Sequence, residues 1–158
     1  MKILGVDPGV FRTGYAIISV SKISSAIKYG TFQTDKNQPL GERIKSVVQR
    51  LQRLIKREKV KLCAMETLFF KKDAVKSVMQ TLQLRGAILY FLAKENIALY
   101  EITPARLKLA VTGQGRASKR QMNYMVRSLF NIKDNLQEDE ADALACAYYL
   151  REMLKRRL

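Results

Sequence analysis

Two short apolar segments, each ending at an acidic residue, constrain the fold of this chain more than any other feature. Residues 2–7 (KILGVD) end at Asp7 and a Pro-Gly turn, and residues 60–65 (VKLCAM) are followed by Glu66. Their length and composition predict buried strands. Residues 38–59 repeat apolar side chains at a 3.6-residue spacing, which predicts an amphipathic helix. Strands joined by a helix are typically parallel neighbours, so both acids are predicted at the same edge of one sheet.

The rest of the pattern predicts one α/β domain over residues 1–158, with a mixed five-stranded sheet flanked by helices. The β-branched and aromatic segments after the first strand indicate an antiparallel meander. The predicted strands are 2–7, 13–20, 26–34, 60–65 and 97–100. Five helices are predicted. Two are 38–59 and 74–96, and a third runs from about Glu138 through Leu150. A short helix is capped by Thr103 with Pro104 at its first position, and another is opened by the capping box of Ser118 and Gln121.

The charge balance points to an anionic partner. The chain has 29 Lys and Arg against 14 Asp and Glu, a formal net charge of +15. Hydrophobic residues make up 47% of it, enough for a buried core, so a disordered polycation is excluded. There is no histidine, which excludes Ser-His and Cys-His triads, HExxH zinc sites and a histidine general base.

The sequence also predicts a cytoplasmic protein. No apolar run approaches the roughly 18 residues of a membrane span, and the first residues lack the apolar region of a signal peptide. Cys63 and Cys146 lie among apolar residues, which suits buried thiols in a reducing compartment better than a disulfide.

Four acidic residues are predicted to converge. Asp139 and Asp142 are three residues apart, which places them on one helix face about 60° apart. With Asp7 and Glu66 they form an oxygen-only donor set that favours Mg²⁺ or Mn²⁺ over zinc or copper. Two such ions can clamp a phosphodiester for in-line attack by water, and nucleic acid is the natural partner of so basic a chain.

Each acid taken alone has a structural alternative. Asp7 can cap the Pro-Gly turn, Glu66 can form a salt bridge, and the aspartate pair can cap a helix. The neighbouring Glu138 and Glu140 are interpreted as a solvated acidic first turn favoured by the helix dipole.

Motifs in order along nearly the whole chain resemble the RuvC family of Holliday junction resolvases. They are GVDPG (5–9) with TGY (13–15), METLFF (65–70), RLK (106–108), SKRQ (118–121) with MVR (125–127), and DEADALA (139–145). The resemblance implies a ribonuclease-H-like fold, a homodimer, and paired symmetric nicks in four-way DNA junctions with two Mg²⁺ or Mn²⁺ ions per active site. It also implies that Asp7, Glu66, Asp139 and Asp142 are the catalytic metal ligands, and it makes the RuvA and RuvB branch-migration proteins candidate partners. Our hypothesis is that Asp7 lies between the two ions.

Two positions depart from the family pattern. Asp73 stands where an asparagine is common, and Leu82 and Leu84 replace small residues before Arg85 and Gly86. These changes leave the four acids intact and affect only local packing and substrate contacts.

Further residues are predicted to contact DNA. Phe69 is interpreted, on the resemblance, as an exposed ring that stacks at the opened junction, whereas Phe70 is assigned to the core. Lys108, Lys119 and Arg120 flank a glycine-containing loop with no acid near it in sequence, and are predicted phosphate contacts. Gly9 and Gly14 are predicted to permit tight turns and to leave room for a phosphate.

Three alternative functions remain at this level. The first is a ribonuclease-H-like enzyme resembling the YqgF family, which acts on ribosomal RNA precursors. The second is a sugar-kinase or actin-like phosphotransferase, for which 158 residues are too few. The third is a non-catalytic nucleic-acid-binding module, in which a cluster of acids would repel phosphate unless a metal ion lay between them.

Overall fold

One five-stranded sheet organises the molecule. The computed structural model describes residues 1–21, 26–68 and 75–156, without the side chains of 26 and 27. The strands are β1 Lys2–Asp7, β2 Arg12–Ser19, β3 Ala26–Gln33, β4 Leu62–Glu66 and β5 Ala98–Ile102. They lie in the order β3-β2-β1-β4-β5. The meander β1-β2-β3 is antiparallel and β1, β4 and β5 are parallel, which confirms the predicted mixed sheet.

The helices begin and end within a few residues of their predicted bounds. They are α1 Leu40–Glu58, α2 Val75–Lys94, α3 Pro104–Thr112, α4 Lys119–Phe130 and α5 Glu138–Lys155. The capping box of α4 is confirmed, because Ser118 accepts a hydrogen bond from the Gln121 amide and Gln121 accepts one from the Ser118 amide. The predicted hydroxyl cap of α3 is wrong. Thr103 occupies the cap position, but its hydroxyl makes no capping bond, and the helix begins instead with the preset φ of Pro104.

The sheet separates two apolar cores. Alternate strand residues such as Ile3 and Ala64 pack against α3, α4 and α5, whereas Leu4 and Cys63 on the opposite face pack against α1 and α2. This alternation follows from the two-residue period of a strand. Cys63 and Cys146 are buried and unpaired, as predicted, and burial raises the pKa of the Cys63 thiol to about 12.

Glu58, the last residue of the basic helix α1, connects three elements of the fold. Glu58, nearly buried at the end of α1, accepts hydrogen bonds from Lys2 Nζ at 3.0 Å and Lys28 Nζ at 2.7 Å. Arg57 Nε donates a third at 3.3 Å. The bonds from Lys28 and Lys2 lower the pKa of the Glu58 carboxyl to about 2. Two of the basic residues, Lys2 of β1 and Lys28 of β3, therefore bind α1 to the sheet.

Helix α5 lies unusually close to the sheet. A side-chain carbon at Gly5 would overlap the backbone carbonyl of Ala143 and press on the amide of Ala147. Only glycine therefore permits this approach of α5 to β1. Within the described residues, no helix is long and apolar enough to cross a membrane.

Replacing Gly5 tests this close packing. We expect Gly5→Ala to lower the free energy of unfolding by at least about 2 kcal/mol, because the clash is with backbone that cannot rotate away. Gly41→Ala is the matched control, since nothing lies within 4 Å of the added carbon, and it should change stability by less than about 1 kcal/mol. Urea unfolding measures both. Equal stability of the two variants would contradict the packing argument.

Candidate active site

The strand register places two of the predicted acids side by side. Val6 of β1 pairs with Met65 of β4, so Asp7 and Glu66 are the next residues of two adjacent parallel strands. The side chain of each is half-buried. The edge of the sheet where these strands end therefore carries two neighbouring carboxylates.

The other two acids come from the start of α5, with Asp139 in its first turn and Asp142 in the next. Asp7 pairs across the sheet with Gly14 of β2, and a side-chain carbon at Gly14 would overlap the backbone carbonyl of Asp139. The helix therefore begins directly over the strand end that carries Asp7. The sequence prediction for Gly14 is corrected here: its lack of a side chain makes room for the α5 backbone rather than for a phosphate.

A cleft of about 370 Å³ unites the acids of the strands and the helix. Its walls include Asp7, Glu66 and Asp142 together with the cations Arg85, Lys108 and Lys119. An adjoining groove shares Asp7, Asp142 and Lys119 and adds Arg12 and Asp139. Three of the four predicted acids therefore line one cleft together with basic side chains, and Asp139 lines the adjoining groove.

Proximity and burial shift the protonation of this cluster. Burial is the main cause that raises the pKa of Asp7 to about 7, and the charges of Glu66 and Asp139 raise it further. Burial likewise raises the pKa of Asp142 to about 7, with added repulsion from Asp7 and Glu66. Lys119 opposes both shifts. Burial, with a smaller contribution from mutual repulsion, therefore favours the protonated forms of Asp7 and Asp142.

The same effects reach Glu66 and Cys146. Burial raises the pKa of Glu66, while Lys108, Lys119 and Arg85 lower it. Burial raises the pKa of the Cys146 thiol well above its usual value, and the charges of Glu66 and Asp7 add to the shift. The Cys146 thiol is therefore neutral and lies close enough to the acids for their charges to affect its pKa.

The donor chemistry fits a hard divalent cation. Carboxylate oxygens are the ligands that Mg²⁺ and Mn²⁺ prefer, and a cation would stabilise the charged forms of Asp7 and Asp142 that burial and then mutual repulsion disfavour. In the described residues, however, no three acidic or cysteine side chains are yet gathered closely enough to hold an ion. Asp139 is occupied elsewhere: Arg12 Nε and Nη2 donate to its carboxylate at 3.2 and 3.1 Å, and Thr31 Oγ1 donates at 2.9 Å.

The predicted DNA contacts fall into three groups. Lys108 and Lys119 line the cleft, and Lys119 forms an ion pair with exposed Glu138. Arg120 is exposed but lies outside the cleft, in the neighbouring grooves along α4. Phe69 and Phe70 lie outside the described residues.

Sequence reasoning missed a buried arginine beneath the site. Arg85 of α2 donates from Nη1 to the Glu66 carbonyl oxygen at 2.7 Å and from Nη2 to Glu101 Oε1 at 2.5 Å. It therefore holds the end of β4 that carries Glu66. A signal was present, since Arg85 falls on the same helix face as the apolar residues Val78 and Ile88, where a charged residue needs a partner.

Comparison with known proteins identifies relatives. The family profile "Crossover junction endodeoxyribonuclease RuvC" matches residues 3–149. The protein of that name from Pseudothermotoga lettingae is 39% identical over 150 residues, covering 94% of this chain and 92% of the relative. A RuvC structure from Thermus thermophilus has a TM-score of 0.84 at 24% identity, covering 99% of this chain and 97% of that one. The same protein "in complex with Holliday junction substrate" has a TM-score of 0.82 at 24% identity, covering 99% and 96%. The likeness to these two structures confirms the fold.

The carboxylate cluster predicts a stability that falls as pH rises when divalent ions are absent. Between the ordinary pKa of aspartate, 3.8, and the folded value of about 7, the folded protein keeps a proton on Asp7 that the unfolded chain releases. In EDTA at pH 8 we therefore expect Asp7→Asn to have a Tm several degrees above that of the unmodified protein, since 1 kcal/mol corresponds to roughly 2–4 °C at this size. The difference should shrink as the pH is lowered through 7 towards 4.

The control for this experiment is Asp134→Asn, at an exposed acid outside the cluster. Its Tm should follow that of the unmodified protein at every pH. Differential scanning calorimetry across the pH range gives both curves, and an Asp7→Asn curve that coincides with the unmodified protein would refute the coupling of these carboxylates.

Proposed function

The chain belongs to the RuvC family of crossover junction endodeoxyribonucleases, and we propose that it resolves four-way (Holliday) DNA junctions by paired symmetric nicks in recombination and repair. Family membership makes it a nuclease. The observation that carries the proposal is the meeting of Asp7, Glu66 and Asp142 in one cleft of a protein whose net charge is +15.

We assign the four acids as metal ligands and catalytic residues. Asp7 and Glu66 from the strand ends, with Asp142 and Asp139 from α5, would hold two Mg²⁺ or Mn²⁺ ions. When bound there, such ions activate water and stabilise charge on a phosphodiester. Hydrolysis with a 5′-phosphate and a 3′-hydroxyl product is the outcome that we propose.

The chain's own cations bind and orient the substrate. Lys108 and Lys119 face the carboxylates across the cleft, where they attract the phosphate backbone that the acids alone would repel. Lys119 is close enough to the cluster to lower the pKa of Asp7, Glu66 and Asp142, which supports its place beside the scissile phosphate. Arg85 holds the Glu66 backbone and thereby fixes the direction of that carboxylate. Arg120, on the outer face of α4, and Phe69 stay predicted DNA contacts.

We further propose a homodimer that joins through α2. This helix exposes a series of large apolar side chains that no other described element covers, namely Val75, Met79, Leu82, Leu89 and Tyr90. A two-fold dimer is suited to a substrate with two equivalent strands to cut. Because Arg85 reaches from α2 to Glu66, such an interface would lie one helix width from the cleft.

The remaining proposals concern organisation and context. A single nuclease domain over residues 1–158 is supported by the one sheet that all described strands share. A cytoplasmic location is supported by the two buried free thiols. RuvA and RuvB as branch-migration partners rest on family membership alone.

Cleavage of a labelled synthetic four-way junction tests the function. With Mg²⁺ the protein should nick two opposed strands, and with EDTA it should cut nothing. Asp7→Asn and Asp142→Asn should each reduce cleavage at least about 100-fold while leaving junction binding largely intact, because the lysines and arginines carry the binding. Asp134→Asn is the control and should cut normally.

Two results would contradict the proposal. Full cleavage by Asp7→Asn in Mg²⁺ would remove the assigned site. Preferential cutting of structured RNA over the DNA junction would favour the alternative function resembling the YqgF family.

The dimer is tested by charge substitution on α2. We expect Leu82→Glu to convert the protein to a monomer in sedimentation velocity, because a charged side chain in an apolar contact loses its water without gaining a partner. Leu109→Glu is the matched control, since Leu109 is an exposed leucine on α3. A dimer that survives Leu82→Glu and dissociates with Leu109→Glu would move the interface to the other face.

A further inference from the structure

The carboxylate of Asp139 accepts three hydrogen bonds from side chains of β2 and β3. The guanidinium of Arg12 grips it with two nitrogens, and Thr31 adds a third hydrogen bond. Arg12 Nη2 also donates to Gln137 Oε1 at 3.3 Å. The Asp139 side chain is only 12% exposed, whereas that of Arg12 is 37% exposed and faces the groove that contains Asp7 and Asp142. The acid is thus enclosed, and the cation is open to the substrate side.

Both cations of this groove are paired with acids from the first turn of α5. Arg12 pairs with Asp139, and Lys119 pairs with Glu138. Arg12 therefore competes with any other cation for the carboxylate of Asp139.

We propose that Arg12 binds a DNA phosphate during the reaction. Without DNA it is paired with Asp139, and when a divalent ion binds the Asp139 carboxylate, the guanidinium of Arg12 leaves that carboxylate and binds the phosphate instead. The inference rests on the proposed function, because it assumes a metal ion and a phosphodiester at this place. No bond is made or broken covalently in the exchange. The guanidinium fork fits two oxygens of a phosphate as well as it fits two oxygens of a carboxylate.

The balance of charges favours this exchange. An ion with two positive charges replaces a guanidinium with one at Asp139, and the released guanidinium meets the negative phosphate that arrives with the DNA. Since the Arg12 side chain is partly in water, the guanidinium can leave Asp139 towards the groove without crossing the protein interior. Thr31 keeps Asp139 oriented by its own hydrogen bond while the arginine leaves.

The test measures two affinities of the Arg12→Gln variant, for Mn²⁺ and for the DNA junction. Loss of a merely structural arginine would not raise the first and lower the second. In DNA-free protein, we expect Arg12→Gln to bind Mn²⁺ about two- to fivefold more tightly by electron paramagnetic resonance titration, because the competing cation is gone. In a cleavage-inactive Glu66→Gln background with Mg²⁺, the same change should weaken junction binding. It should also reduce the slope of log Kd against log salt concentration by about one.

Three variants separate charge from structure. Arg12→Lys keeps the charge but loses the fork, so its salt slope should stay near that of the parent protein. Thr31→Val removes only the third hydrogen bond and should leave the slope unchanged. Arg53→Gln removes an exposed arginine from α1, on the opposite face of the sheet from α5, and controls for net charge in both assays.

Either of two results overturns the exchange: a Mn²⁺ affinity of Arg12→Gln no tighter than that of the parent protein, or an unchanged salt slope of its junction binding. If Arg12→Gln fails to fold, Arg12→Lys decides the question, since a weaker grip on Asp139 must still raise Mn²⁺ affinity. Failure of the unmodified protein to cut a junction would refute the proposed function instead, and it is measured separately.

Discussion

The close approach of the α5 backbone to β1 and β2 is the constraint on which the rest of the structure depends. Two glycines permit it: Gly5 lies against the middle of the helix and Gly14 against its first turn. Because α5 sits this low on the sheet, its first turn is brought to the edge where β1 ends. A side chain at either position would lift the helix and separate Asp142 from Asp7.

The electrostatics of the site follow from that packing. Acids that are ordinary in sequence become strongly coupled once the helix buries them together, so that Asp7 and Asp142 hold protons up to about pH 7 without a cation. Two cations oppose these shifts from different positions, exposed Lys119 at the rim of the cleft and buried Arg85 beneath it. The net charge of +15 thus averages a broad basic surface and a small acidic cleft.

Local patterns predicted most of the architecture because they depend on local physics. The apolar period distinguished strands from helices, and the capping box of Ser118 opens α4 as expected, since a cap involves residues three positions apart. The neighbouring positions of Asp7 and Glu66 followed from a helix that joins two parallel strands. Thr103 was wrong because the identity of a capping residue does not ensure that its hydroxyl points to an amide.

The sequence by itself determined the elements, their topology and the four acids at two strand ends and one helix start. The tertiary structure alone decided the partners of the arginines. Arg12 binds the Asp139 carboxylate, 127 positions away in sequence, and Arg85 of α2 donates to the backbone carbonyl of Glu66. The physical reason is that long charged side chains select partners by distance in space and by burial. Neither quantity exists until α5 and α2 have packed on the sheet.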